Sequence, residues 1–298
     1  MKERSFLSCG YAVIDVIEGE EYFGGSAAAF AVNGKRLGME TGLCALFGED
    51  QKSKEYWDFL TTIGVDLAYS MRFPDIKLPA NYICHHNRNK GWEDYNITQY
   101  FPQINFSDPS ALKKYGVIHF ASAHPIVIEK VIKEIFFNPY HRPIISFSPG
   151  PKSLLYPELY LKNDFIRASD IVFFNKEEWQ NASNNLNVSS PEELIALGPR
   201  IVLITLGPEG YKITYQDGNK TVTEEKQVEP INGEPTGAGD AFALGVLIGL
   251  QNRLLPPQAT EVGAALANLA LKVNGGIIDP DKINHFKDID KFRKLFQL

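Results

Sequence analysis

The sequence predicts an α/β fold, a three-layer α/β/α sandwich with a mainly parallel central sheet and a small β excursion. Two observations predict it. Short apolar runs, among them Val117 to Ala121, Ile144 to Phe147, Ile171 to Phe174 and Ile201 to Thr205, alternate with helix-length segments. That alternation is the pattern of parallel strands covered by helices on both faces. One polar, aromatic stretch, 78–105, breaks the alternation and is rich in β-formers. The chain has 298 residues, 44% of them hydrophobic, enough for one large core. It shows no internal repeat, low-complexity tract or linker, so the expectation is a single domain over 1–298.

Taken in order, Phe6 to Val16 reads as a first strand with Asp15 near its end, and Gly24 to Leu37 as a helix entered through a Gly-Gly pair. Thr41 to Phe47 suits a second strand and Glu55 to Ile63 a helix. In 78–105, Tyr82, Ile83, Tyr95, Ile97 and Tyr100 flank a break at Asn89-Lys90-Gly91, a hairpin signal. Pro125 to Phe137 has helical spacing. Lys212 to Gln227 reads as antiparallel strands around Asp217-Gly218. Helices are expected over Gly239 to Leu250 and Pro257 to Val273.

Composition narrows the function. A net charge of −6 argues against a nucleic-acid partner, which needs a basic face. No apolar run reaches the ~20 residues of a membrane span, and Met1 to Phe6 lacks the pattern of a secretory signal. The three cysteines, Cys9, Cys44 and Cys84, have neither metal-ligand nor disulfide-framework spacing and read as reduced thiols in a cytoplasmic protein.

The chemistry concentrates in Glu234-Pro235-Thr236-Gly237-Ala238-Gly239-Asp240-Ala241-Phe242, between strand-rich sequence and an apolar helix. Gly237 and Gly239 let the backbone approach a ligand. A helix starting here points free N–H groups and its positive dipole end at an anion. Asp240 beside that cradle can accept the proton of an attacking hydroxyl. Charge stabilisation plus an oriented acceptor are the needs of phosphoryl transfer. For the motif alone, a glycine-rich turn with Asp240 as an ordinary helix N-cap is the commoner reading.

Pro-Thr-Gly-Ala-Gly-Asp-Ala-Phe resembles the C-terminal signature of the ribokinase-like (PfkB) carbohydrate kinases. Gly24-Gly25-Ser26-Ala27-Ala28-Ala29-Phe30-Ala31, followed by Leu37-Gly38 and Phe47-Gly48-Glu49-Asp50, resembles the N-terminal signature. Gly10 with Asp15, Gly64-Val65-Asp66, Asn175-Lys176-Glu177-Glu178 and Thr205-Leu206-Gly207-Pro208-Glu209-Gly210 resemble further elements in the family's order. The resemblance implies an ATP-dependent phosphotransferase acting on a hydroxyl of a small carbohydrate or polyol. It implies Asp240 as catalytic base and the Gly237, Ala238 and Gly239 backbone as the anion hole. Asp15, Gly24 and Gly25 would hold the acceptor. Asn175, Glu178, Thr205, Gly207 and Gly210 would serve the nucleotide, with Glu178 acting on Mg²⁺ through water. The cofactors implied are Mg²⁺ and ATP as co-substrate, with K⁺ left open because Glu234 stands where many members have aspartate. The β excursion at 78–105, with 16–23, would form a reduced lid, in a monomer or homodimer.

Three departures keep alternatives in play. Ala29 occupies a position where many sugar kinases carry an acceptor-binding asparagine, which removes a polar partner. Ser148-Pro149-Gly150-Pro151-Lys152 aligns with a segment that is often Asp-Pro-Asn-x-Arg. Only residues 16 to 23 separate Asp15 from Gly24, where longer lid strands are usual. These features admit a nucleoside kinase on the same fold, or a non-catalytic binding protein. Tyr82, His85, His86, Asn87, Trp92 and Tyr95 are the candidates to face the acceptor from the lid. Asn175 with Glu178 could equally be a helix cap with its first-turn acid.

Overall fold

The computed structural model describes residues 4–84, 89–106, 109–136, 142–288 and 292. The strands are β1 (Ser5–Gly10), β2 (Val13–Ile17), β3 (Glu20–Gly24), β4 (Glu40–Cys44), β5 (Leu46–Phe47), β6 (Met71–Arg72), β7 (Ala80–Cys84), β8 (Asn89–Glu93), β9 (Val117–Ala121), β10 (Ile144–Ser148), β11 (Ile171–Asn175), β12 (Ile201–Thr205), β13 (Tyr211–Asp217) and β14 (Lys220–Lys226). The helices are α1 (Ser26–Arg36), α2 (Gln51–Thr62), α3 (Pro109–Leu112), α4 (Pro125–Phe136), α5 (Lys152–Leu155), α6 (Pro157–Tyr160), α7 (Asn163–Ala168), α8 (Lys176–Leu186), α9 (Pro191–Leu197), α10 (Ala238–Gln251), α11 (Pro256–Ala270) and α12 (Pro280–Asp288).

The main sheet runs β14-β13-β12-β11-β10-β9-β1-β4. Six neighbouring strands are parallel, and the β13–β14 hairpin adds an antiparallel edge. Side chains alternate across it, so the apolar runs bury both faces. Phe6, Val117, Phe173 and Leu203 pack with Phe30 of α1, Leu244 of α10 and Leu266 of α11. Leu7, Phe120, Phe147 and Val202 pack on the other face with Val131 of α4, Phe165 of α7 and Leu194 of α9. The result is the three-layer α/β/α architecture.

A second sheet, ordered β3-β2-β7-β8, stands apart from the first. Two expectations change here. The single strand over 6–16 is two strands: the chain leaves the main sheet after Gly10 and enters the second sheet at Val13, so Asp15 belongs to the second sheet. Gly10, the last residue of β1, must be glycine, because a Cβ there would lie 2.1 Å from the Ala121 carbonyl oxygen. The 78–105 stretch is only half strand. Asn89–Glu93 is β8, so Asn89-Lys90-Gly91 lies within a strand and is no break, and Ile97–Gln103 is a 3₁₀ helix. Tyr95 and Asn96 adopt φ of 48° and 63°, which ends the strand, and Asp94, just before that turn, accepts the Thr98 N–H of its first residues. The helix expected from Glu55 starts at Gln51, because Asp50 caps it by accepting the Lys52 and Ser53 N–H groups.

Candidate active site

The parallel strands β1, β9, β10, β11 and β12 end on one edge, at Gly10, Ala121, Ser148, Asn175 and Thr205. Ligands of open parallel sheets bind beyond that edge. The second sheet faces it through one row of side chains. Asp15 is the cross-strand partner of Tyr22 on one side and of Asn81 on the other, and Asn81 is the partner of Trp92. Partners in register share a face, so Tyr22, Asp15, Asn81 and Trp92 form a continuous row. Asn81 Nδ2 donates to Asp15 Oδ1 at 3.0 Å. Gly24 and Gly25 sit against the same carboxylate. A Cβ at Gly24 would lie 1.8 Å from Asp15 Oδ2, and Gly25 takes φ of 94° at the start of α1, a conformation glycine adopts readily. The buried Tyr56 hydroxyl donates to the Gly24 carbonyl oxygen at 2.9 Å.

Tyr82 falls on the opposite face of the second sheet, where it and Tyr95 engage Glu93. Among the aromatic candidates of the 78–105 stretch, Trp92 therefore shares Asp15's face and Tyr82 does not. His85, His86 and Asn87 lie outside the described residues. Trp92 meets Tyr11 edge-on at 5.8 Å, and Lys152 Nζ stands over both rings, at 4.4 Å from Tyr11 and 5.1 Å from Trp92. Lys152 also donates to Tyr11 Oη at 2.8 Å. The altered 148–152 segment thus still brings a cation, with its pKa lowered by burial, to an aromatic wall beside the row.

Opposite stands the start of α10. Gly237 is its N-cap at φ 77°, and Asp240 is the third helical residue rather than the cap. Ala238 N–H donates to Pro235 O at 3.2 Å, so it serves the turn. The Gly239 N–H has no partner among the described residues, and a Cβ at Gly239 would meet nothing within 4 Å. The open part of the cradle is therefore the Gly239 backbone. Gly237 packs on Gly276, where a Cβ on Gly237 would lie 2.5 Å from the Gly276 Cα. Asn33, buried in α1, holds that neighbour: its Nδ2 donates to Gly276 O at 2.8 Å and its Oδ1 accepts the Ile278 N–H at 2.9 Å. Sequence reading missed Asn33 and Asn81, since a lone asparagine inside a helix or strand carries no local signal. A buried amide in an otherwise apolar helix face is the one clue Asn33 offers.

Three carboxylates meet here. Asp240 lies at the base of the cleft, partly reached by water yet surrounded by protein. Burial pushes its pKa up to about 7, opposed by a hydrogen bond from Ser26 and assisted by Glu178 and Asp15. Burial likewise raises Asp15 to about 6, with Asn81 pulling down and Glu234 pushing up. Glu178 is buried and raised to about 7, chiefly by burial. It forms a capping box with Asn175: the Glu178 N–H donates to Asn175 Oδ1 at 2.8 Å, and Glu178 Oε2 accepts the Asn175 N–H at 2.9 Å. The helix-cap reading of this pair therefore holds, but an ordinary capping glutamate is exposed, and this one is buried next to Asp240's field.

Thr205 is the cross-strand partner of Asn175 and so sits on the same edge. Gly207, at φ 61°, faces open space. Gly210 has a packing cause of its own, because a Cβ there would lie 2.0 Å from the Lys226 carbonyl oxygen.

The profile of the pfkB family carbohydrate kinases matches residues 9–283. The chain belongs to that family. It is an ATP-dependent phosphotransferase acting on a hydroxyl group of a small molecule. The nucleoside kinase of Methanocaldococcus jannaschii is 26% identical over 272 residues, covering 88% of this chain and 83% of that protein. The 5-dehydro-2-deoxygluconokinase of Geobacillus thermodenitrificans is 25% identical, covering 91% and 88%. Among solved structures, a putative ribokinase II of E. coli in complex with ATP and Mg²⁺ superposes with a TM-score of 0.77 at 21% identity, over 95% of this chain and 98% of that one.

The kinase's own residues suit a nucleotide-borne Mg²⁺. No group of three or more His, Cys, Asp or Glu side chains among the described residues could hold a metal alone. Mg²⁺ keeps several waters and relies on one or two carboxylates plus phosphates. Glu178, whose charge pushes Asp240 up, is a carboxylate that such a hydrated cation would neutralise.

Proposed function

We propose that this kinase transfers the terminal phosphoryl group of Mg-ATP to a hydroxyl of a small carbohydrate or polyol, with Asp240 as the base. The observation that carries this reading is Asp240, raised to about 7, beside the unpartnered Gly239 amide at the start of α10. A base with a pKa near the working pH takes a proton most effectively. The acceptor hydroxyl loses its proton to Asp240 as its oxygen bonds to the γ-phosphorus. The bond from that phosphorus to the bridging oxygen breaks, and ADP leaves. The free Gly239 N–H, presented by the Gly237 turn, and the dipole of α10 hold the developing negative charge. Asp15, fixed by Asn81 and fitted against Gly24 and Gly25, accepts hydrogen bonds from other acceptor hydroxyls. Asn175, Glu178, Thr205, Gly207 and Gly210 border the nucleotide. Mg²⁺, approached by Glu178 through water, would neutralise the phosphates. The chain works as one domain, with the β3-β2-β7-β8 sheet as its lid, as a cytoplasmic monomer or homodimer. K⁺ dependence is expected to centre on the Glu234 loop.

A nucleoside acceptor is the second reading. It is favoured by Trp92, a flat ring in the same row as Asp15, and by the similarity to the Methanocaldococcus jannaschii nucleoside kinase. The test is acceptor-dependent ADP release with Mg-ATP across sugars, sugar acids, polyols and nucleosides, with and without KCl. Stimulation by one sugar or polyol supports the first reading. Preference for a nucleoside, weakened about tenfold or more in KM by Trp92→Ala as a stacking contact is lost, establishes the second. ATP binding without turnover on any acceptor refutes both.

A further inference from the structure

Beyond the cleft, the edge strand β3 overhangs a second cavity of about 320 Å³. Tyr22 and Phe23 of β3, Phe59 of α2 and Arg36 of α1 form one side, and the segment from Lys272 to Lys282 forms the other. None of Asp15, Gly24, Gly25 or Asp240 lines it. Its volume lies at the lower end of the range for small-molecule sites.

The charges in its wall are unbalanced. Arg36, Lys272 and Lys282 face a single carboxylate, Asp279. That carboxylate is already taken, since Lys282 Nζ lies 2.9 Å from Asp279 Oδ2 and also donates to Lys272 O at 3.0 Å. The Arg36 guanidinium donates to Ile278 O and stands 5.8 Å from the centre of the Phe59 ring. The Lys272 ammonium has no hydrogen-bond or ion-pair partner among the described residues. A cation excess in a chain of net charge −6, lined by aromatic rings, suits an anion with a flat or apolar body. Guanidinium and ammonium groups supply the charge-assisted hydrogen bonds that carboxylates and phosphates accept.

We propose that this cavity binds a small organic anion, bearing carboxylate or phosphate groups, as an effector of the acceptor site. The connections are short. Tyr22 is the cross-strand partner of Asp15, and its hydroxyl accepts from Asn274 Nδ2 at 3.0 Å. Asn274 leads into Gly275 and Gly276, and Gly276 backs Gly237 at the head of α10. A ligand held between β3 and Lys272 therefore touches the strand next to Asp15 and the segment behind the phosphate cradle. Occupancy and acceptor affinity are coupled through these two contacts, and coupling of this type is reciprocal.

The binding arm needs no turnover, so its outcome is independent of the kinase reading. With the cleft filled by Mg²⁺ and a non-hydrolysable ATP analogue at fixed free Mg²⁺, calorimetry titrates citrate, glycerol 3-phosphate and phosphoenolpyruvate. These probes present carboxylates only, phosphate only, and both. The expected result is one-to-one binding of at least one probe, weakened about tenfold in Lys272→Glu. That probe shifts the acceptor KM about fivefold in the wild type and not in the variant. Lys272→Glu leaves turnover without the probe unchanged, because Lys272 is exposed and its side chain bonds to nothing described. The proposal is overturned if none of the three probes binds, if the variant binds as tightly as the wild type, or if binding leaves the acceptor KM unchanged.

Discussion

Asp240→Asn separates what the site needs for catalysis from what the fold tolerates. Folding moves this carboxyl from 3.8 to about 7, which corresponds to roughly 4 kcal/mol at 1.36 kcal/mol per pH unit. Part of the group reaches water, so screening reduces that figure, and a gain of roughly 1–3 kcal/mol is expected from the neutral isostere at pH 8. For a chain this long that is a Tm increase of roughly 2–8 °C. The direction follows from proton binding. The folded wild type holds this proton more tightly than the unfolded chain, so it loses stability relative to the variant as pH rises from about 4 to about 7. Above that the gap is constant. Thermal unfolding without nucleotide, at pH 4.5, 6 and 8, reads it directly. The same variant should lose about 10²–10⁴-fold in turnover, and the wild-type kcat/KM should fall with acid below about pH 7. A variant no more stable than the wild type at pH 8, or a gap that ignores pH, would show that this carboxyl is not crowded by burial and its neighbours. Near-normal turnover would remove Asp240 as the base.

Two further perturbations test the supports behind the site. Asn81→Ala removes the donor that holds Asp15 ionised, so the Asp15 pKa should rise above about 6. The acceptor KM should then increase more at pH 6 than at pH 8, with kcat less affected, and an equal effect at both pH values would refute the assigned role. Asn33→Ala removes two buried hydrogen bonds and should destabilise the fold by roughly 2–4 kcal/mol. Gly276→Ala forces a Cβ to within 2.8 Å of the Gly237 Cα at φ 75°. It should lower kcat while ATP affinity, measured by calorimetry, changes little; an unchanged kcat would disconnect this contact from the cradle.

How much of this was written locally can be judged residue by residue. The apolar runs Val117–Ala121, Ile144–Ser148, Ile171–Asn175 and Ile201–Thr205 announce themselves because a strand covered on both faces must be apolar throughout. The segment from Glu234 to Phe242 is equally legible, since glycines before an apolar helix express a backbone requirement in the chain itself. Period and glycine placement are local quantities, and a single sequence carries them. The transfer of Asp15 from the main sheet to the second one is not local. It depends on strand pairing, β1 with β9 more than a hundred residues away and β2 with β3 and β7. Strand pairing also decided that Trp92 shares a face with Asp15 while Tyr82 does not, because a shift of one residue in register reverses every side chain. Burial raises the pKa values of Asp15, Glu178 and Asp240, and Glu178 and Asp15 push Asp240 further from two other elements. The composition of the chain sets how many carboxylates exist, but only tertiary structure withdraws these three from water and brings Glu178 and Asp15 near enough to push Asp240 up, which is what leaves Asp240 able to take a proton near neutral pH.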